Sequence, residues 1–199
     1  MPHLRSFRPG DEPALEAICL ATADAGGDAA GMLTDDDLWA QLFVSPYLAR
    51  HPDLALVVET DDGRLAGYLV GTDDSDSFED WFAREWWPSQ RARWPRPAGE
   101  STSRQDELLR DADARGAEAS PHAQAYPAHL HIDLLPELQG QGWGRRLIET
   151  YLGLLRARGV AGVHLAADPS NTGALAFYPR VGFTRLPTDE DSAVFGRFS

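Results

Sequence analysis

The 199-residue sequence predicts an α/β fold of the α+β kind, in which helices flank both faces of one mixed β-sheet. Two observations predict this fold class. Residues 128–166 contain a strand, a glycine-rich turn, an amphipathic helix and a second strand, which is the order of a β-α-β unit. Asp62-Gly63 lies between two short apolar runs, which is typical of an antiparallel hairpin. The length suits a single domain over residues 1–199, with an insertion at about 73–125.

The first part of the chain carries two predicted helices between strands. The first helix lies within residues 10–26, with Gly10 or Asp11 as its cap and Pro13 in its first turn. The second helix takes Thr34 as its cap and has acidic residues in its first turn. The predicted elements are, in order, a strand over 3–8, helices within 10–26 and 34–43, and strands over 54–59 and 64–71.

Residues 73–125 differ in composition from the rest and are interpreted as a helical, tryptophan-rich insertion before the central strand. The segment holds four of the six tryptophans and a polar stretch of helical character. Two interpretations stay open for these tryptophans. They form either a satellite core or the lining of a substrate cleft.

The pattern becomes regular from residue 126 onwards. In "AHLHIDLL", His129, His131 and Asp133 alternate with apolar residues, so the three share one face of a strand. A long amphipathic helix follows and ends at Gly159. The remaining predicted elements are a strand over 162–167, a helix over 171–182 with Asn171 near its start, and strands over 183–186 and 192–198.

Composition limits the partners and the compartment. A formal net charge of −13 opposes non-specific binding to nucleic acid, and no apolar run approaches the ~18 residues that span a membrane. The first twelve residues lack the apolar stretch of a signal peptide, and the one cysteine, Cys19, can form no internal disulfide. We therefore expect a cytoplasmic protein whose partners are neither nucleic acid nor membrane.

Gly140, Gly142 and Gly144 lead directly into the long helix. The N–H groups at a helix start lack partners and carry the positive end of the helix dipole. Glycine leaves these groups uncovered, so the turn predicts an anion site. The spacing fits neither the dinucleotide fingerprint nor a Walker A loop, which also requires a lysine.

The glycine-rich turn and a later segment of the sequence resemble the GNAT superfamily of acetyl-CoA-dependent N-acetyltransferases. Gln139-x-x-Gly142-x-Gly144 matches the family's pyrophosphate loop, and residues 171–183 match its N-x-x-A-x-x-F-Y-x-x-x-G-F segment. The resemblance covers nearly the whole chain outside 73–125. Residues 126–137 and the tryptophan-rich insertion are also similar to the GNAT-like C-terminal domain of animal O-GlcNAcases. Unlike that domain, this chain keeps the loop intact.

The resemblance implies a mixed, splayed sheet and an enzyme that transfers an acetyl group from acetyl-CoA to a primary amine, by direct attack in a ternary complex. It implies a pantetheine arm beside the main chain of the central strand, where a backbone N–H would stabilise the developing oxyanion. The implied cofactor contacts are Ile132, Asp133 and Leu134 on the strand, Gln139, Gly140, Gln141, Gly142, Trp143, Gly144 and Arg145 in the loop, and Asn171 and Tyr178 in the later helix.

Two residues are predicted to be catalytic. Tyr178 matches the family's tyrosine near the cofactor sulfur, and a phenol can protonate a thiolate of similar basicity. Pro179 follows at once, which departs from the usual pattern and puts the aim of the tyrosine in question. Asp133 is the first choice for the general base, because a buried carboxylate can have a raised pKa. His131 is the second choice, and Glu137 or an acid of the insertion stays open as a base acting through water.

A second function stays open: a non-catalytic module that binds acyl-CoA. No metal site is predicted, since the row of His129, His131 and Asp133 has no further ligand nearby in the sequence. The expected partner is a small-molecule or peptide amine, and the expected assembly is a monomer or a homodimer.

Overall fold

The structure is a computed structural model that describes residues 1–97, 99, 103–117, 119–188 and 191–199. Its seven strands form one sheet in the order β1-β2-β3-β4-β5-β7-β6. The strands are β1 (His3–Ser6), β2 (Leu56–Glu59), β3 (Leu65–Thr72), β4 (Ala128–Leu134), β5 (Gly162–Ala167), β6 (Thr184–Arg185) and β7 (Ala193–Phe198). The α-helices are α1 (Glu12–Leu20), α2 (Asp37–Phe43), α3 (Ser45–Arg50), α4 (Ser75–Trp81), α5 (Trp87–Gln90), α6 (Arg104–Ala114), α7 (Trp143–Ala157) and α8 (Thr172–Arg180).

The sheet is mixed, as the sequence predicts. Strands β1 to β4 pair antiparallel in chain order, β4 and β5 pair parallel, and β5, β7 and β6 pair antiparallel. The parallel pair and α7 between them form the predicted β-α-β unit. Because this unit lies at the centre of the sheet, the ends of β4 and β5 are covered by helices on both faces.

Alternation along the strands sorts the apolar side chains into two cores. Tyr68 and Val70 of β3 pack with α1, α2, α3 and the insertion, whereas Leu69 between them packs with α7 and α8. Helices therefore flank both faces, which confirms the predicted fold class.

The tryptophans of the insertion belong to the first of these cores. Trp87 and Trp94 are buried, and Trp81 and Trp86 pack against the same cluster. The indole N–H of Trp87 donates to Asp113 Oδ1 at 2.7 Å, which ties α5 to α6. None of the four lines either cavity described below, so the core interpretation holds rather than the cleft interpretation.

Two predicted helix limits were wrong. The first helix ends at Leu20, because the chain then turns through Ala25 (φ 49°) and Gly26 (φ 93°), which no helix can accommodate. The second helix begins at Asp37 rather than after Thr34. In α7 the prediction was right, since Gly159 follows the last turn with a φ of 73°.

Candidate active site

The centre of the site is a gap where β4 and β5 part. The two strands pair only at Ala128 with Val163 and at His129 with His164, although β4 continues to Leu134. Beyond these pairs, in the part of the chain that the structure describes, β4 pairs with a strand on one side alone, which is β3. This is the splayed sheet that the resemblance implies.

The register shows which main-chain groups face the gap. Leu135 N–H donates to Ala66 O at 2.9 Å, so Leu135 and, two residues earlier, Asp133 form the hydrogen-bonded pairs with β3. The alternate residues Ile132 and Leu134 therefore direct their N–H and C=O groups to the gap. Asp133 can contribute only its side chain there.

A cavity of about 250 Å³ fills this gap, and we call it the gap cavity. His131 and Asp133 reach it from the face of α1, and Asn171 and Tyr178 reach it from α8. Groups from opposite faces of the sheet meet in the gap cavity because no strand pairing separates them there. Cys19, Thr22, Trp39 and Phe43 complete the wall on the α1 side.

Asp133 is held by a hydrogen bond from the hydroxyl of Tyr68, its pairing partner on β3. Burial raises the pKa of the Asp133 carboxyl above its usual range, while the hydroxyls of Tyr68 and Thr22 oppose that rise. A carboxylate with a raised pKa is the better proton acceptor, which suits a general base. Tyr68 could not be identified from sequence patterns, because its contact with Asp133 depends on the pairing of two strands and joins residues 65 positions apart.

Tyr178 is 8% exposed and lines the gap cavity from the opposite side. Burial raises the pKa of its phenol, and the negative charge of Asp133 adds to the rise, so the two side chains lie within electrostatic reach of each other. Its hydroxyl makes no hydrogen bond to any residue that the structure describes. Pro179 stays inside the helix, one residue before its end, so α8 still carries Tyr178 to the cavity.

Asn171 caps α8. Its amide oxygen accepts the N–H of Ala174 at 2.9 Å, which leaves the amide nitrogen for a ligand. That nitrogen would lie 3.3 Å from a Cβ at Gly26. Asn171 thus caps α8 and also lies in the wall of the gap cavity.

The glycine-rich loop leaves a row of N–H groups uncovered. Gly140 (φ 70°) and Gly142 (φ 83°) are left-handed, and a Cβ at either position would meet no atom within 4 Å. Among the described residues, no acceptor receives a hydrogen bond from the N–H groups of residues 140–145. The side chain of Gln139 turns away from the row and donates to Leu134 O at 3.0 Å. The loop therefore fits an anionic group such as pyrophosphate.

The start of α7 shows that some predicted loop residues also have structural roles. A Cβ at Gly144 would lie 2.8 Å from the ring of Phe177, so this glycine lets α7 and α8 approach closely. Trp143 is buried beneath the guanidinium of Arg146. The guanidinium of Arg145 donates to Arg180 O at 2.6 Å, at the end of α8. The main-chain N–H groups of these three residues therefore belong to the uncovered row of the loop. The side chains of Trp143 and Arg145, and the absence of one at Gly144, serve packing.

His131 differs from Asp133 as a candidate base. Burial and the nearby charge of Arg115 lower the pKa of His131 to about 3, so its imidazole is neutral but weakly basic. Glu137 pairs with Arg64, outside the gap cavity. In the part of the chain that the structure describes, no group of three or more acidic, histidine or cysteine residues is arranged to hold a metal ion. No described helix is both long and apolar enough for a bilayer crossing.

Most of the chain matches a known protein family. The model of the acetyltransferase (GNAT) family matches residues 20–183. Protein O-GlcNAcase of Rattus norvegicus is 23% identical over 202 residues, which cover 98% of this chain and 22% of that protein. The chain thus spans about a fifth of the length of that curated relative. Mycothiol acetyltransferase of Streptosporangium roseum is 50% identical over 54 residues, or 27% of this chain and 16% of that protein.

Solved structures give the same picture at the level of the fold. The crystal structure of SsHAT superposes with a TM-score of 0.94 at 39% identity, covering 99% of this chain and 98% of that one. PaiA N-acetyltransferase from Thermoplasma acidophilum, solved in complex with coenzyme A, has a TM-score of 0.61 at 14% identity, covering 100% and 99%. At that identity the second likeness concerns the fold alone.

Proposed function

Because the chain belongs to the acetyltransferase (GNAT) family, we propose that it transfers an acetyl group from acetyl-CoA to a primary amine by direct attack in a ternary complex. One observation carries the proposal. The gap cavity brings an open strand edge, Asp133 and Tyr178 together in about 250 Å³. Acetyl-CoA supplies the activated acetyl group when it is bound.

The residues present fit acetyl-CoA. The uncovered N–H groups of residues 140–145 would hold the pyrophosphate, at a helix start that favours negative charge. The gap-facing main chain of Ile132 and Leu134 would hold the pantetheine arm as an added strand would be held. Asn171 would donate a hydrogen bond from its free amide N–H group to the same arm.

Asp133 is the proposed general base. Its carboxylate lines the gap cavity and its pKa is raised, so it can take a proton from the acceptor's ammonium group and leave a neutral amine to attack the acetyl carbonyl. His131 lines the same cavity, but a pKa of about 3 makes it the weaker proton acceptor. A backbone N–H at Ile132 or Leu134 would stabilise the negative charge that develops on the acetyl oxygen.

Tyr178 is the proposed general acid. Because its pKa is raised, the phenol is protonated at neutral pH and can give its proton to a leaving thiolate. The phenol is free for this task, since none of the described residues accepts its proton. The acceptor, the compartment and a monomeric or dimeric assembly remain predictions.

The first experiment is thermal unfolding with acetyl-CoA, with NADH and ATP as controls. A ligand at 100 times its Kd stabilises the folded state by about 2.7 kcal/mol. For a chain of this size the shift in Tm is on the order of 5–10 °C. A shift with acetyl-CoA alone supports the assigned loop, and no shift refutes it.

A second measurement separates the enzyme from the non-catalytic alternative. Release of free CoA is followed with a polyamine, an aminoglycoside and a lysine-containing peptide as acceptors. The proposal expects release that depends on one of these amines. Binding of acetyl-CoA without transfer to any amine would instead establish the non-catalytic module.

A further inference from the structure

A second and larger cavity adjoins the gap cavity, and its walls carry a chain of hydrogen-bonded side chains. It has a volume of about 670 Å³ and lies between β4, β5 and the insertion; we call it the histidine cavity. His129, His131 and His164 all line it. The two cavities have Phe43, Leu130, His131 and Ala166 in common, so these residues lie where the cavities meet.

The proton positions along this chain follow from its chemistry. Ser75 Oγ donates its one proton to Pro127 O at 2.7 Å. In the 2.8 Å contact between Ser75 Oγ and His129 Nδ1, the proton must then belong to His129. A neutral His129 has a bare Nε2, which accepts the hydroxyl proton of Tyr47 at 2.7 Å.

The last link of the chain fixes the tautomer of His131. The only hydroxyl proton of Tyr47 is already engaged in the hydrogen bond to His129. The Tyr47 oxygen must therefore be the acceptor in the 3.1 Å contact with His131 Nε2. The proton of His131 is therefore on Nε2. Both rings are neutral, because burial lowers the pKa of each.

His131 Nδ1 is left as a bare acceptor. None of the described residues donates a hydrogen bond to this nitrogen, and protein atoms do not enclose it completely. It is open to the cavities that His131 lines. A fixed lone pair at the junction of two cavities is a ready partner for an N–H group.

We propose that the histidine cavity binds the acceptor and that His131 Nδ1 accepts a hydrogen bond from its amine, orienting the nitrogen toward the gap cavity. This inference rests on the proposed function. Ser75, His129 and Tyr47 are positioning residues, because they act only through the tautomer of His131. Asp133 remains the proton acceptor, and His131 supplies direction.

The walls of the histidine cavity indicate the class of acceptor. Its volume is in the range of small-molecule pockets. Glu79 and Arg115 form a doubly hydrogen-bonded pair in its wall, so their charges cancel. Much of the remaining wall consists of small residues, namely Ala114, Gly116, Ala117, Ala119 and Ser120. These features favour a primary amine on a compact, uncharged polar group, rather than a lysine on a protein surface.

The test reads the tautomers directly, by NMR of the imidazole nitrogens in ¹⁵N-labelled protein without acceptor. The wild type is expected to carry its proton on Nδ1 of His129 and on Nε2 of His131. Ser75→Ala removes the first acceptor of the chain, so His129 can move its proton to Nε2 and reverse every later link. A mixture of tautomers at His131, which Ser75 does not touch, is then expected.

Ser120→Ala is the matched control. It removes a hydroxyl that bonds His164 at 3.2 Å in the same cavity but lies outside the chain to His131. Its His131 should keep the wild-type tautomer. A proton on Nδ1 of His131 in the wild type, or no change in Ser75→Ala, would overturn the inference.

Kinetics with the amine panel test the role in binding. Ser75→Ala should lower kcat/KM for the amine roughly 2- to 13-fold, the value of one hydrogen bond, with unchanged affinity for acetyl-CoA. Tyr47→Phe, which breaks the chain at its centre, should do the same and serves if Ser75→Ala does not fold. Unchanged kinetics in both variants, or acetylation of the lysine peptide alone, would contradict the inference. Failure of the wild type to acetylate any amine would instead refute the proposed function, and the orienting role with it.

Discussion

Asp133 combines a catalytic assignment with a cost to stability. Its pKa is raised by burial, which means that the folded state prefers the protonated carboxyl. The carboxyl therefore contributes most to stability below its unfolded pKa, and that contribution is lost as the pH rises through the folded pKa. At neutral pH the buried charge destabilises the fold, in a position where the proposed chemistry requires the charge.

Asp133→Asn should separate these two effects. The amide oxygen can still accept the hydrogen bond from Tyr68, so the variant is expected to fold with an unchanged or higher Tm at pH 7. Turnover should fall by about 10²- to 10⁴-fold, the usual contribution of a general base. In the wild type the rate should decrease as the pH falls through the raised pKa of Asp133, and this dependence should vanish in the variant.

Asp168→Asn is the matched control for that experiment. Asp168 also lines the gap cavity, but its carboxylate is engaged by the N–H and hydroxyl of Ser170. Its substitution should change turnover only a few-fold. An Asp133→Asn enzyme with wild-type turnover would remove Asp133 from the mechanism.

Gly142 is the residue whose backbone keeps the loop uncovered. Gly142→Val should abolish the acetyl-CoA-dependent shift in Tm, because a branched side chain would cover the N–H groups and the left-handed φ of 83° would be strained. Gly63→Val provides the control, since Gly63 has a φ of 81° and equally open surroundings in the β2–β3 turn. Both variants should lose about 1–2 kcal/mol of stability, and only Gly63→Val should keep the shift. A normal shift in Gly142→Val would show that the ligand binds elsewhere.

At the scale of elements, the contact between α7 and α8 positions Tyr178 and Asn171. Gly144 lies against Phe177, where a Cβ would come within 2.8 Å of the ring. Gly144→Ala should therefore push the helices apart and lower the free energy of unfolding by about 1–3 kcal/mol in urea titrations. Phe177→Leu should restore part of this loss in the double variant, which a double-mutant cycle measures as coupling.

Gly153→Ala is the control within the same helix. Its Cβ would meet nothing closer than 3.9 Å, so the substitution should stabilise α7 by about 0.5–1 kcal/mol. If both alanines had the same effect, the close approach of α7 and α8 at Gly144 would not be limiting.

The elements that could be predicted from the sequence are those specified locally. The alternation of β4, the glycines before α7 and Gly159 after it depend on periodicity and on backbone conformations that neighbouring residues determine. Thr34 does not cap the second helix, because that helix begins only at Asp37. The carboxylate of Asp36 accepts the N–H groups of Gly31 and Leu33, so the turn before the helix determines where the helix starts.

The parts of the site that the sequence did not reveal depend on contacts between distant segments. Tyr68 meets Asp133 through the register of β3 with β4, and Tyr47 meets His131 from a helix 84 positions earlier in the chain. Cys19 reaches the wall of the gap cavity from α1. Periodicity places each of these residues on a buried face, but only the packed fold determines which polar group each one meets.

At the scale of the whole molecule, the neutral buried histidines make stability depend on pH. Burial lowers the pKa of His129, His131 and His164 in the folded state. Below the unfolded value of about 6.5, the unfolded chain binds protons that the folded chain does not. The contribution of these histidines to the free energy of unfolding is therefore fully present above pH 6.5. It is lost as the pH falls, by up to about 1.4 kcal/mol per pH unit for each such histidine.

Urea unfolding between pH 5 and 7.5 should show this decline in the free energy of unfolding. The measurement is best made in the Asp133→Asn variant, because the contribution of Asp133 to stability has the opposite pH dependence. His131→Gln in that background should make the decline shallower by the share of one histidine. Were the decline equally steep without His131, the imidazole would be taking up its proton in the folded state, and the neutral ring that fixes the tautomer chain would be excluded.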